Sequence, residues 1–152
     1  MGAYVLKDHG SHEFAVSPNL CIAATGSEVQ QAQEVAAALV AAKPSLFIRV
    51  VSFPCWELFE RQTMEYQRSI FTDNTPVMSI EAGGVHGWQK YAHAPFGLTG
   101  FGMSAPLKQI QSHFGFTIEN LTAKANEVMT FYTGKMAPSL LDRPYFAPAA
   151  GH

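Results

Sequence analysis

At 152 residues and 16.6 kDa, the chain holds one domain and leaves no room for two independent cores. Hydrophobic residues make up 47%, which supports a packed core and excludes wholesale disorder. A net charge of -2 removes the electrostatic footprint of a nucleic-acid binder, so no nucleic-acid partner is expected. The charged fraction of 14% falls well below the roughly 25% of ordinary soluble domains. That shortage predicts surface covered by a partner chain or by further domains. Cys21 and Cys55 stand far apart without any C-x-x-C context, which predicts reduced thiols rather than a disulfide or a zinc site. No apolar run approaches the roughly 18 residues that a membrane span needs. The Met1-Gly2 start carries Leu6 where N-myristoylation wants Ser or Thr. A soluble, cytoplasmic protein without a membrane partner is the expectation.

Along the chain, Tyr4-Val5-Leu6 reads as a short strand, followed by a polar connector over residues 8–18. The apolar run from Asn19 to Thr25 is of the kind a doubly covered, buried strand shows. Gly26 breaks it, and Ser27-Glu28-Val29-Gln30 matches a capping box with Ser27 as N-cap. Val29, Ala32, Val35, Ala36, Leu39 and Val40 then recur at helical spacing until Lys43-Pro44. Leu46 to Ser52, rich in β-branched residues, is the second clear strand. Cys55 to Gln62 and Met64 to Phe71 read as short helical pieces, and Val77 to Ile80 as a third strand. Val85 to Ala92 looks helical, and Phe96 to Thr99 like a last short strand. Ser104 is expected to cap a helix that carries Pro106 in its first turn and ends at Gly115. A final amphipathic helix runs from about Thr117 to Phe131, and the Pro- and Ala-rich residues 135–152 read as a loose tail. Alternating strands and helices predict a parallel α/β sheet with helices on both faces, forming one domain over residues 1–134.

Candidate chemistry is sparse. The turn Thr25-Gly26-Ser27-Glu28 joins a buried strand to a helix start, where free N–H groups and the helix dipole suit an anion. It is neither a G-x-G-x-x-G nor a P-loop, and Glu28 would repel a phosphate, so ordinary capping is its plainer reading. Gly102-Met103-Ser104-Ala105-Pro106 is a second turn of this kind, giving Thr25, Gly26, Ser27 and Ser104 as the possible anion site. His86 could pair with Glu81, yet no third ligand or nucleophile follows at diagnostic spacing. His9, His12 and His152 read as solvated, and His113 as a helix-end cation. Cys55 follows Pro54 at a helix start, a place that favours thiolate, though Trp56 beside it favours burial. Glu57, Glu60 and Glu65 read as a solvated helix face, and Trp56, Phe59, Tyr66, Trp88 and Tyr91 as core or interface. The residues alone name no catalytic, cofactor-binding or metal-ligating group.

Several long segments, taken in order, resemble the C-terminal domain of the transketolase family. They are the lead-in Gly2 to Asp8, the strand–turn–helix Ile22 to Val29, and the stretch Arg49 to Gln62. Tyr66 to Ile70, Glu81-Ala82-Gly83, Gly87 to Tyr91, Phe101 to Pro106 and Gly115 to Asn120 follow in family order. The set covers residues 2 to about 130 and favours transketolase over pyruvate dehydrogenase β subunits.

The resemblance implies a three-layer α/β/α fold whose five-stranded sheet is mostly parallel, with one antiparallel strand at Tyr4 to Lys7. It implies a parent enzyme that uses thiamine diphosphate and a divalent metal, magnesium or calcium. That enzyme moves a two-carbon ketol unit from a ketose phosphate to an aldose phosphate, in the pentose phosphate pathway. In the family, the two preceding domains build the cofactor and substrate sites across a homodimer interface. The implied role is structural, with no cofactor of its own and with the preceding domains and the second subunit as partners. Two departures stand out: Ala92 to Gly100 is shorter than the loop many members have, and the tail beyond Tyr132 aligns with no family segment. Two alternatives stand beside this reading. One is a free-standing module binding an anion or phosphorylated metabolite at the helix-start turns. The other is a small hydrolase built on Cys55 or His86.

Overall fold

The structure, a computed structural model, describes residues 1–11, 17–99 and 107–144. Strands β1 (Tyr4–Gly10), β2 (Leu20–Ala24), β3 (Phe47–Ser52), β4 (Val77–Gly84) and β5 (Ala94–Leu98) form one sheet in the order β1-β3-β2-β4-β5. β1 runs antiparallel to β3, and the other three pairings are parallel. This is the expected mostly parallel five-stranded sheet with one antiparallel strand.

Alternation along the strands divides the apolar side chains between two cores. Leu20, Ile22, Ile48, Val50, Met78 and Ile80 face α1 (Glu28–Ala42) and α5 (Ile118–Tyr132), meeting Val35, Leu39 and Leu121. Cys21, Ala23, Val51 and Val77 face the other way, towards α2 (Trp56–Glu60), α3 (Met64–Ile70) and a 3-10 turn at Trp88–Lys90. Both faces of β2 are covered, so all five of its residues are buried and no polar residue interrupts it. α4 (Leu107–His113) completes the helices among the described residues.

Four local expectations differ from the structure. β1 continues through Asp8, His9 and Gly10 instead of yielding to a connector there. The reason is cross-strand: Asp8 takes two hydrogen bonds from the Arg49 guanidinium of β3, at 2.9 and 3.0 Å. A charged residue therefore fits this edge strand. Ser27 makes no side-chain cap, and its hydroxyl donates to Glu28 Oε1 at 2.8 Å.

The helix expected over Val85 to Ala92 shrinks to the three-residue turn. Gly87 sits at φ 86°, and a Cβ there would lie 2.5 Å from the Trp56 ring, so a continuous helix cannot pass. Finally, part of the expected loose tail is packed. Ala137 and Leu141 are buried, and Leu141 belongs to the second core beside Phe71, Val77 and Tyr91. The sequence signal there was proline content, which disfavours helix and strand but leaves an extended packed segment open.

Candidate functional site

α1 leaves β2 towards one face, whereas α2 and α3, between β3 and β4, cover the other. The carboxyl ends of β2 and β4 therefore form the point where the winding reverses, the usual ligand position in open α/β sheets. Thr25, Gly26 and Ser27 lie there. Space is open around Gly26, where a Cβ would meet nothing within 4 Å. Glu28, in the first turn of α1 and hydrogen-bonded to Ser27, already supplies the negative charge that this helix start favours. Ser104, the fourth residue of the possible anion site, lies outside the described residues.

The other candidates are scattered. Cys55 donates its thiol hydrogen to Glu57 Oε2 at 3.4 Å. Glu57's own backbone N–H, and then this thiol, hold its carboxyl below the usual range. A thiol used as a donor in this way is not poised as a nucleophile. Glu81 accepts from the Gly83 N–H at 2.9 Å instead of meeting His86. Among the described residues, no group of three or more His, Cys, Asp or Glu is placed to hold a metal ion. Nor is any helix among them long and apolar enough to cross a membrane.

What the fold does bring together is a polar cluster on the rim of the second core. Glu60 of α2 accepts from both Lys90 Nζ and the Tyr91 hydroxyl. Arg143 donates to the Lys90 carbonyl at 2.9 Å and lies 5.5 Å from the Tyr91 ring centre. Burial and the nearby Arg143 pull the Lys90 ammonium below its ordinary value. Beside these groups lies a cavity of about 220 Å³, lined also by Gln62, Met64, Gln67 and Leu141.

Behind the cluster six aromatic rings interlock. Phe53 meets Tyr91 at 4.8 Å and Phe59 at 5.0 Å, and Trp56 meets Trp88 at 5.5 Å, all but one of these rings being buried. Edge-to-face pairs of this type add about 0.5–1.5 kcal/mol each beyond area burial. Chemically the cluster is a clamp: one carboxylate ties α2 to the 3-10 turn through an ammonium and a phenol. Sequence reading placed Glu60 on a solvated face, because its partners lie 30 and 31 residues away and no spacing rule links them.

Comparison with known proteins now decides between these possibilities. Residues 2–117 match the family described as the transketolase-like TK C-terminal domain. The chain belongs to this family. It is 38% identical over 144 residues to the transketolase of Kluyveromyces lactis, covering 95% of the chain and 20% of that protein. Transketolase of Pichia stipitis, solved in complex with sedoheptulose-7-phosphate, superposes with a TM-score of 0.83 at 33% identity. That match covers 95% of the chain and 20% of the other. Transketolase of Leishmania mexicana gives 0.79 at 37% identity, covering 90% and 19%.

The chain thus spans about a fifth of the length of these transketolases, as their C-terminal domain. Coverage of 95% also carries the likeness past Tyr132 into the tail, which corrects the expectation that the tail has no family counterpart. No observation favours the free-standing binding module.

Proposed function

We propose that this transketolase C-terminal domain supports the catalytic parts of a transketolase without contributing catalytic groups. The parent enzyme transfers a two-carbon ketol unit between sugar phosphates, as a cytoplasmic homodimer that uses thiamine diphosphate and magnesium or calcium. The observation that carries the reading is the unbroken family match over residues 2–117, at a fifth of the length of the relatives. No catalytic step is assigned to the described residues, among which no group of three or more His, Cys, Asp or Glu is placed to hold a metal ion. Their chemistry is that of a scaffold: two buried cores, a locked aromatic cluster and a charge-poor surface.

Sedimentation tests the partnership. The chain is mixed with a yeast-type transketolase truncated before its C-terminal domain. Co-sedimentation of the two is expected. Two independent boundaries, with the truncated protein shown to be folded, would overturn the reading.

A further inference from the structure

We propose that residues 136–144 form a strap across the second face of the sheet, that neutral His93 latches it shut, and that protonation of His93 opens it. The strap is anchored by two buried apolar residues and, at its C-terminal end, by polar contacts. Ala137 and Leu141 are buried. Asp142 meets Arg68 at 2.6 Å, and Arg143 reaches the Lys90 carbonyl at 2.9 Å. Closed, the strap lies over Phe71, Thr72 and Thr75 of the loop that leads into β4, and over Val77, the first residue of that strand.

Both ring nitrogens of His93 are committed. Val77 N–H donates to Nδ1 at 2.9 Å, while the His93 backbone N–H returns a hydrogen bond to the Val77 carbonyl at 2.9 Å. Nδ1 is therefore an acceptor, which puts the single ring proton on Nε2. Nε2–H then donates to the Pro138 carbonyl of the strap, 2.8 Å away. Only the neutral imidazole, in this one tautomer, makes both bonds. A second proton must go onto Nδ1, where it would face the Val77 N–H, donor against donor. The ring then leaves its seat and carries Nε2 away from Pro138.

The charged neighbours do not relieve this conflict. Glu127 of α5 lines the groove beside His93 but is bound by Lys124 at 2.9 and 3.0 Å. Tyr132 of α5 offers a ring edge at 5.4 Å. On the strap, Asp142 and Arg143 are engaged as described, and on β4 Glu81 is turned to Gly83. β5 itself carries no charged residue. With no carboxylate at ion-pair distance among the described residues, burial outweighs the Pro138 hydrogen bond and holds the imidazole below its ordinary value.

The experiment is backbone NMR on the 152-residue chain, following heteronuclear NOE values of residues 137–144 and the His93 ring resonances from about pH 7.5 to about pH 5. The strap is expected to be as ordered as the sheet at the upper end. Its NOE values should fall to about half or less with the same midpoint as the His93 ring, below the ordinary histidine value of 6.5. His93→Gln keeps a donor for Pro138 and cannot titrate, so its strap should stay ordered throughout. A wild-type strap that keeps its order while His93 titrates overturns the proposal, as does loss of order at a different midpoint. Equal loss of order in His93→Gln overturns it too.

Discussion

Cys21 and Cys55 carry the same group in opposite surroundings. Burial in β2 pushes the Cys21 thiol up to about 12, whereas Cys55 is only partly covered at the start of α2. Alkylation of the native chain should therefore add one label, at Cys55, and a second only after unfolding; intact-mass measurement reads both. Two labels under native conditions would contradict the packing of β2. The histidines give a pH prediction with a fixed sign. Burial holds His93 and His9 below the ordinary histidine value of 6.5, so the unfolded chain binds their protons more readily than the folded one. Their stabilising share is complete above that value and falls as pH drops through it, levelling off below the folded values. Urea midpoints measured across this range should decline towards acid, and His93→Gln should flatten part of the decline. Neither His93 nor Glu60 was legible as a connected residue in the sequence. Their partners, Pro138 and Lys90, lie 45 and 30 residues away, and only the folded chain brings them together.

The elements divide by how much of their environment is encoded locally. β2 was readable because both its faces are buried, which leaves an unbroken apolar run, β3 from its β-branched residues, and α1 because its stripe has helical spacing. The edges were not. β1 extends three residues further because Asp8 finds Arg49 across the strand pair, a contact 41 residues apart in sequence. The segment 135–144 looked loose because its order comes from anchoring rather than from repeating hydrogen bonds. Leu141 carries most of that anchoring, being 6% exposed and packed with the aromatic cluster. Leu141→Ala should cost about 2–4 kcal/mol in urea denaturation. A loss below about 0.5 kcal/mol would mean that the segment does not contribute to the second core.

For the whole molecule, the low charged fraction and the family assignment bear on the same surface. Met1, Leu58 and Met64 are 73%, 46% and 49% exposed, and Gly2 packs against the α2 backbone at Leu58 and Phe59. Apolar surface left open in this way is expected where sister domains of a transketolase would cover it. The most direct measurement is ketol transfer by a chimera in which this chain replaces the C-terminal fifth of the Kluyveromyces lactis enzyme. A scaffold without catalytic groups predicts turnover close to that of the parent, with none from the chain alone. A folded, dimeric chimera that binds its cofactor but fails to turn over would contradict the account. So would ketol transfer by the isolated chain.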